Sequence, residues 1–238
     1  LSPMGQALQT SPVAGLVEIL VVFGAAALVI FLGLPFAGDN LFAKQLIVVL
    51  ANIVMLFLVW LGLFLRKQKI SYLGLSLEYA GWKSVAWGFA KSLAVAVIGI
   101  AGFIFGSIVM ANITGIPQQA DVSGYDYLRG NLPMLLVSLA AIYVVSSFGE
   151  EVIYRGFLIH RVENLLGNGR KATWAAVVVS SVIFGLAHFG WGLVGVVQTT
   201  FMGLALARSF LLFKRNLWLL VAAHAYMDTA LIVPMYFK

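Results

Sequence analysis

The sequence predicts an all-α protein built as a polytopic bundle of about seven membrane-spanning helices. Hydrophobic residues make up 62% of the 238-residue chain and charged residues only 10%, whereas a soluble domain carries about 25% charged residues. The mean hydropathy is +1.00. Apolar stretches long enough to cross a hydrocarbon core of about 30 Å recur along the chain, separated by short polar turns. We therefore expect a single transmembrane domain over residues 1–238.

Seven stretches have the length and composition of spanning helices. The fourth would be roughly 50 Å long at ~1.5 Å per residue, so one of its ends should project from the membrane. Residues 70–82 are too polar to span and predict an interfacial segment, although an eighth span from the region 70–112 stays open as an alternative. The seven predicted spans cover about residues 12–34, 45–65, 84–111, 133–166, 173–189, 193–213 and 217–236.

The distribution of charge favours a membrane protein over a nucleic-acid-binding one. The net charge of +6 is spread through short loops, where lysine and arginine set the topology of membrane helices. We expect a multi-pass protein of a prokaryotic cell membrane, or of the endoplasmic reticulum in a eukaryote, with membrane lipid as a partner and no nucleic acid. The oligomeric state is not predicted. The absence of cysteine excludes disulfides, thiolate catalysis and cysteine metal ligands.

Three charged residues lie within six positions of the predicted fourth span: Glu150, Glu151 and Arg155. An ionised side chain in hydrocarbon costs at least roughly 2.5–3.5 kcal/mol, so such a cluster indicates a functional site. Another intramembrane acid, Glu18, lies near the start of the first span and is interpreted as a carboxylate that reaches the interface.

The spacing of the cluster separates two roles. Glu151 and Arg155 are four residues apart and share a helix face, which predicts a structural ion pair that lowers the cost of burying both. Glu150 lies about 100° away around the helix. Its carboxylate must therefore find partners on other helices.

Two later helices each carry a histidine at the same four-residue spacing. The fifth span contains Phe184 and His188, and the seventh contains His224 and Asp228. Glu150 lies 19 residues before Gly169 in the turn between the fourth and fifth spans, and His188 lies 19 residues after it. Both side chains are thus roughly 28 Å along their helices from that turn, which predicts that they lie level.

A buried carboxylate beside an imidazole can act as a general base toward water, and a second imidazole can hold the oxyanion of a scissile carbonyl. The same four residues, Glu150, His188, His224 and Asp228, also suit a divalent metal such as zinc that activates the water. Both mechanisms stay open at this point, and no other cofactor is predicted. The sequence contains neither a His-Glu-x-x-His zinc motif nor a Gly-x-Ser-x-Gly nucleophile elbow.

The order of the three motifs resembles that of a known family. Glu-Glu-x-x-x-Arg, Phe-x-x-x-His and His-x-x-x-Asp follow one another on successive apolar helices, as in the CPBP family, also called Abi proteins. This family contains the CAAX prenyl proteases of the Ras-converting type and their bacterial and archaeal relatives. The resemblance covers about residues 70–236, the expected protease core, and implies an intramembrane endopeptidase. Eukaryotic members remove the last three residues of prenylated Cys-a-a-X proteins, and some bacterial relatives are linked to bacteriocin maturation or self-immunity.

The resemblance also implies roles for individual residues. Glu150 and His188 would activate the hydrolytic water, and His224 with Asp228 would line the oxyanion side. Glu151, Arg155 and Phe184 would support them. The family has been described both as metalloproteases and as glutamate-dependent proteases without metal. An ionised Asp228 would repel an oxyanion, so it must be protonated, paired with His224 or bound to a metal.

Our leading hypothesis is an intramembrane peptidase that acts on a peptide or a prenylated protein. One alternative is a non-catalytic membrane protein of the same fold that serves in bacteriocin self-immunity or as a scaffold. A proton-coupled transporter that uses the buried carboxylates is a weaker third, because no internal repeat is apparent in the sequence.

Overall fold

The computed structural model describes residues 1–76, 81–115 and 120–237, and every element in those ranges is helical. Short 3₁₀-helices occupy Ile70–Leu73, Ser123–Leu128 and Phe189–Trp191, and a π-helical segment, here called the π segment, occupies Tyr143–Leu158. The α-helices are α1 (Pro3–Thr10), α2 (Pro12–Ala37), α3 (Leu41–Leu65), α4 (Trp82–Thr114), α5 (Leu132–Ile142), α6 (Ile159–Leu165), α7 (Arg170–Ala187), α8 (Gly192–Leu212) and α9 (Leu217–Phe237).

Seven helical stretches in the described residues are long and apolar enough to cross a membrane, which confirms the predicted all-α polytopic fold. The chain is a multi-pass integral membrane protein. Within the described part of the region 70–112 only α4 qualifies as a span, so the alternative of an eighth span was wrong there. Residues 77–80 of the predicted interfacial segment lie outside the described residues. The spans are Pro12–Ala37, Leu41–Leu65, Trp82–Thr114, Leu132–Leu165, Arg170–Ala187, Phe189–Leu212 and Leu217–Phe237.

The fourth span is not the continuous α-helix that its sequence predicted. It begins as α5, changes to i→i+5 hydrogen bonding through the π segment and ends as α6. π-Helical turns are rare and are found most often at functional sites. The Glu-Glu-x-x-x-Arg motif lies entirely within the π segment.

Close helix packing places the π segment inside the bundle. The segment contacts α3, α7 and α9, and α4 packs against α8 and α9. The glycines of Gly102-x-x-x-Gly106 allow the approach of α4 to α8, because a Cβ atom on Gly106 would lie 2.7 Å from the Cα atom of Gln198. The motif thus permits close packing between two helices of the same chain.

The structure gives Glu18 two partners that the sequence did not predict. Glu18 is buried and forms ion pairs with Arg66, directly after α3, and with Arg161 on α6. Gly62 makes room for this cluster, since a Cβ atom there would collide with the Glu18 carboxylate. The carboxylate therefore joins three helices at one end of the bundle.

Candidate active site

The predicted ion pair between Glu151 and Arg155 is present in the π segment. Nη1 of Arg155 donates to Oε1 of Glu151 at 2.7 Å, and both side chains are fully buried. The guanidinium carbon of Arg155 also lies 4.4 Å from the centroid of the Phe184 ring, a cation–π contact with α7. The pair is thus neutralised within its helix and fixed against the next one.

Glu151 also reaches α9. Nδ1 of His224 lies 2.8 Å from the same Oε1 atom of Glu151. Because a carboxylate only accepts, Nδ1 carries the hydrogen, and Nε2 is the nitrogen turned away from Glu151. Nε2 lies 3.9 Å from Oε2 of Glu150 and 3.7 Å from Oδ1 of Asp228. The imidazole of His224 is therefore surrounded by three carboxylates.

The end of α7 orients His188. The helix ends at Ala187, and the backbone N–H of His188 bonds the carbonyl of Gly185. This leaves the carbonyl of Phe184 to accept a hydrogen bond from Nδ1 of the imidazole at 2.9 Å. Since Nδ1 donates, Nε2 of His188 is the nitrogen that can accept a proton or a hydrogen bond.

Phe184 forms the common wall of the site. Its fully buried ring packs edge-on against His188, with centroids 4.8 Å apart, and against His224 at 6.2 Å. The ring of Tyr154 lies 5.1 Å away on a further side. The structure brings together all seven residues singled out from the sequence: Glu150, Glu151, Arg155, Phe184, His188, His224 and Asp228.

The expected contact between Glu150 and His188 is not formed among the described residues. Among the described residues, no hydrogen bond or ion pair joins Glu150 to His188, because Glu150 faces His224 and His188 is held by its own helix. Oε2 of Glu150 is buried without a hydrogen-bond partner, although the whole side chain is 15% exposed. A buried carboxylate oxygen without a donor is costly and is an unusual feature of a folded protein.

Asp228 adopts one of the three arrangements considered for it. Its Oδ1 atom faces His224, and its Oδ2 atom accepts a hydrogen bond from the Ser147 hydroxyl at 2.7 Å. The carboxylate is thus paired with an imidazole and held by a hydroxyl.

Sequence reasoning missed two residues of the site, Ser147 and Tyr125. Ser147 is fully buried. It lies three residues before Glu150 in a predicted span that carries charged residues, and this position in the sequence was a usable signal that Ser147 belongs to the site. Tyr125 lies in the 3₁₀-helix Ser123–Leu128, outside the spans. Burial, together with the negative charges of Asp228 and Glu150, raises the pKa of the Tyr125 phenol above its usual range. Nothing in that loop sequence indicated this proximity.

The donor groups do not fit the predicted metal site as they are arranged. Within the described parts of the chain, no three His, Asp or Glu side chains converge in a way that would hold a metal ion. Glu151 and the Phe184 carbonyl hold Nδ1 of the two imidazoles and leave both Nε2 atoms free, so the misfit lies in the spacing of the side chains and not in the tautomers. We therefore derive no chemical step through a metal.

A comparison with known families finds a match for the part of the chain that carries the three motifs. Residues 132–230 match the family described as "Type II CAAX prenyl endopeptidase Rce1-like". Over these residues the chain is similar to the Rce1-like family. The match confirms the family resemblance inferred from the three motifs and supports a CAAX-type intramembrane protease in general. No curated protein and no solved structure matches the chain.

The matched region contains every residue of the site described above except Tyr125. It begins with α5 and ends within α9. It does not include residues 70–131, so the wider protease core predicted over about 70–236 stays a prediction.

Proposed function

We propose that this Rce1-like chain hydrolyses a peptide bond in or near the membrane with a water molecule activated by Glu150 and His188. The unpartnered Oε2 atom of Glu150 carries this proposal. It is a buried carboxylate oxygen without a protein donor, 3.9 Å from an imidazole nitrogen, in a side chain that is 15% exposed, and a general base toward water needs such a free acceptor.

His188 complements this base. Because its Nδ1 hydrogen is used by the Phe184 carbonyl, its Nε2 atom is an acceptor for a hydrogen of the same water. The two groups come from different helices, and the Phe184 ring packs against His188. Holding a water from two sides orients its lone pair toward the substrate carbonyl.

We assign the stabilisation of the negatively charged oxyanion to His224. Its Nδ1 hydrogen is donated to Glu151, so a hydrogen on Nε2 is the one available to an oxyanion. The overall reaction is the hydrolysis of a peptide bond by water. The water oxygen bonds to the carbonyl carbon and its proton passes to Glu150. When the C–N bond breaks, the leaving amine takes that proton.

The substrate that fits the family is a protein with a prenylated C-terminal Cys-a-a-X sequence. Cleavage after the modified cysteine would release a tripeptide and leave a new carboxylate. A lipid-modified terminus is anchored in the bilayer, so it can reach a site buried among spanning helices without leaving the membrane.

The test is cleavage of a quenched-fluorescent farnesylated Cys-a-a-X peptide by the detergent-purified protein. Glu150→Gln should lower kcat by roughly 100- to 10,000-fold, the usual contribution of a general base, without lowering the unfolding temperature. Asp39→Asn, which removes an exposed carboxylate from the turn after α2, is the matched control and should cleave like the wild type. Full activity in Glu150→Gln would refute the proposal. No cleavage by the wild type would favour a non-catalytic immunity or scaffold protein.

A further inference from the structure

Ser147 differs from most buried hydroxyls in this bundle. Buried helical serine and threonine side chains usually bond a carbonyl of their own helix. Ser181, Thr199 and Ser209 do so here, each to the carbonyl four residues earlier. The fully buried Ser147 instead donates across the bundle to Oδ2 of Asp228 on α9, at 2.7 Å. Its hydroxyl is therefore committed to the site and not to its helix.

We infer that Ser147 is a positioning residue for the proposed hydrolysis, acting through Asp228 on His224. The inference rests on the proposed function. The two oxygens of a carboxylate are chemically equivalent, and the group rotates unless one oxygen is held. The Ser147 hydroxyl holds Oδ2, which leaves Oδ1 directed at Nε2 of His224, 3.7 Å away.

The Ser147 hydroxyl would influence the reacting atoms through the imidazole of His224. Glu151 holds His224 at Nδ1, at 2.8 Å, and Asp228 faces it at Nε2. Nε2 is the nitrogen that would donate to the oxyanion, so its direction depends on both carboxylates. If Ser147 loses its hydroxyl, Asp228 is free to turn, and the imidazole loses its second support. Small misplacements of this kind cost about 100-fold in rate.

This arrangement also gives Asp228 a different role from the one on the oxyanion side that the resemblance implies. A carboxylate that accepts from Ser147 and faces an imidazole is an acceptor, and it cannot itself donate to an oxyanion. Asp228 therefore aligns His224 instead of binding the oxyanion. An asparagine at this position would keep the bond, since its amide oxygen also accepts from the Ser147 hydroxyl.

The experiment measures kcat and KM for the farnesylated peptide in wild type, Ser147→Ala, Ser147→Thr, Asp228→Ala and the double variant Ser147→Ala/Asp228→Ala. We expect Ser147→Ala to lower kcat by roughly 10- to 100-fold with little change in KM. Ser147→Thr, which retains the hydroxyl, should recover a large part of that loss. Ser209→Ala, which removes another fully buried helical hydroxyl outside the site, should leave kcat unchanged.

The double variant decides whether the effect passes through Asp228. If it does, Ser147→Ala causes no further loss in the Asp228→Ala background. An equal loss in both backgrounds, or a wild-type kcat in Ser147→Ala, would overturn the inference while the peptidase proposal stands. Unfolding temperatures of all variants identify any that lose activity by failing to fold. A wild type that cleaves nothing would instead remove the proposed function and, with it, this role.

Discussion

Glu151 and His224 are joined by a hydrogen bond of 2.8 Å that links the π segment to α9. The same oxygen of Glu151 accepts from Arg155 at 2.7 Å. The second glutamate of the motif is therefore more than the local partner of the arginine. It fixes the tautomer and direction of the imidazole that faces Glu150, and it neutralises a guanidinium buried against Phe184.

The two adjacent glutamates should consequently respond differently to the same substitution. Glu151→Gln should lower kcat by roughly 10- to 100-fold through misalignment of His224. It should also destabilise the protein by about 3–5 kcal/mol, because a buried Arg155 loses its counter-charge. Glu150→Gln should reduce activity without this loss of stability, since Oε2 of Glu150 has no hydrogen bond to lose and lies 3.9 Å from Nε2 of His224. Cleavage assays and thermal unfolding of both variants in one detergent test the contrast. Equal unfolding temperatures for the two variants would contradict it.

The sequence predicted those features that depend on neighbouring residues. Span number follows from the apolar length of each segment, and the Glu151–Arg155 pair follows from the helical period. The gathering of the two histidines and Asp228 around the motif was expected from the resemblance, and helix depth predicted only that His188 lies level with Glu150. These predictions need no knowledge of how the helices rotate against one another.

The features that were missed depend on that rotation. The Glu151–His224 bond joins residues 73 positions apart, and the Ser147–Asp228 bond joins residues 81 positions apart. Glu18 meets Arg66 over 48 positions. The angular argument for Glu150 also assumed a regular α-helix, whereas the wider π turn changes which residues share a face. Composition and periodicity do not specify which residues of distant helices come into contact.

Tyr125 provides a prediction about pH. Burial and the carboxylates of Asp228 and Glu150 raise the pKa of its phenol, so the group keeps its proton to a higher pH than an ordinary tyrosine. Tyr125→Phe should lower kcat/KM by a factor that stays constant from about pH 6 to about pH 9, below the usual phenol pKa of about 10. Tyr127→Phe is the matched control, because that phenol bonds Ser138 instead. A Tyr125→Phe effect that vanishes toward pH 9 would mean that the phenol ionises in this range.

Treatment with a chelator distinguishes the two mechanisms described for the family. We expect a strong chelator followed by dialysis to leave cleavage unchanged, because the site's carboxylates and imidazoles do not converge on one point. Metal content measured on the same sample provides the control for complete removal. Loss of cleavage that zinc restores would show that a metal gathers these side chains into a different arrangement.

Glu18 tests whether the ion cluster at the other end of the bundle is structural. Glu18→Gln leaves Arg66 and Arg161, both almost fully buried, without a carboxylate. Breaking a buried pair in this way costs about 3–5 kcal/mol, so the unfolding temperature should fall markedly. The fraction that stays folded should cleave at the wild-type rate, because the cluster contacts none of the site residues.

The matched control for Glu18 is an exposed ion pair. Asp126 and Arg129 lie 3.6 Å apart with more than half of each side chain exposed, and such pairs contribute about 0–1 kcal/mol. Asp126→Asn should therefore leave the unfolding temperature almost unchanged. If Glu18→Gln proved equally mild, water or lipid would have to reach the two guanidiniums and replace the carboxylate, and the cluster would not join α2 to α3 and α6. If Glu18→Gln lowered kcat in folded protein, the two ends of the bundle would be coupled through the fourth span.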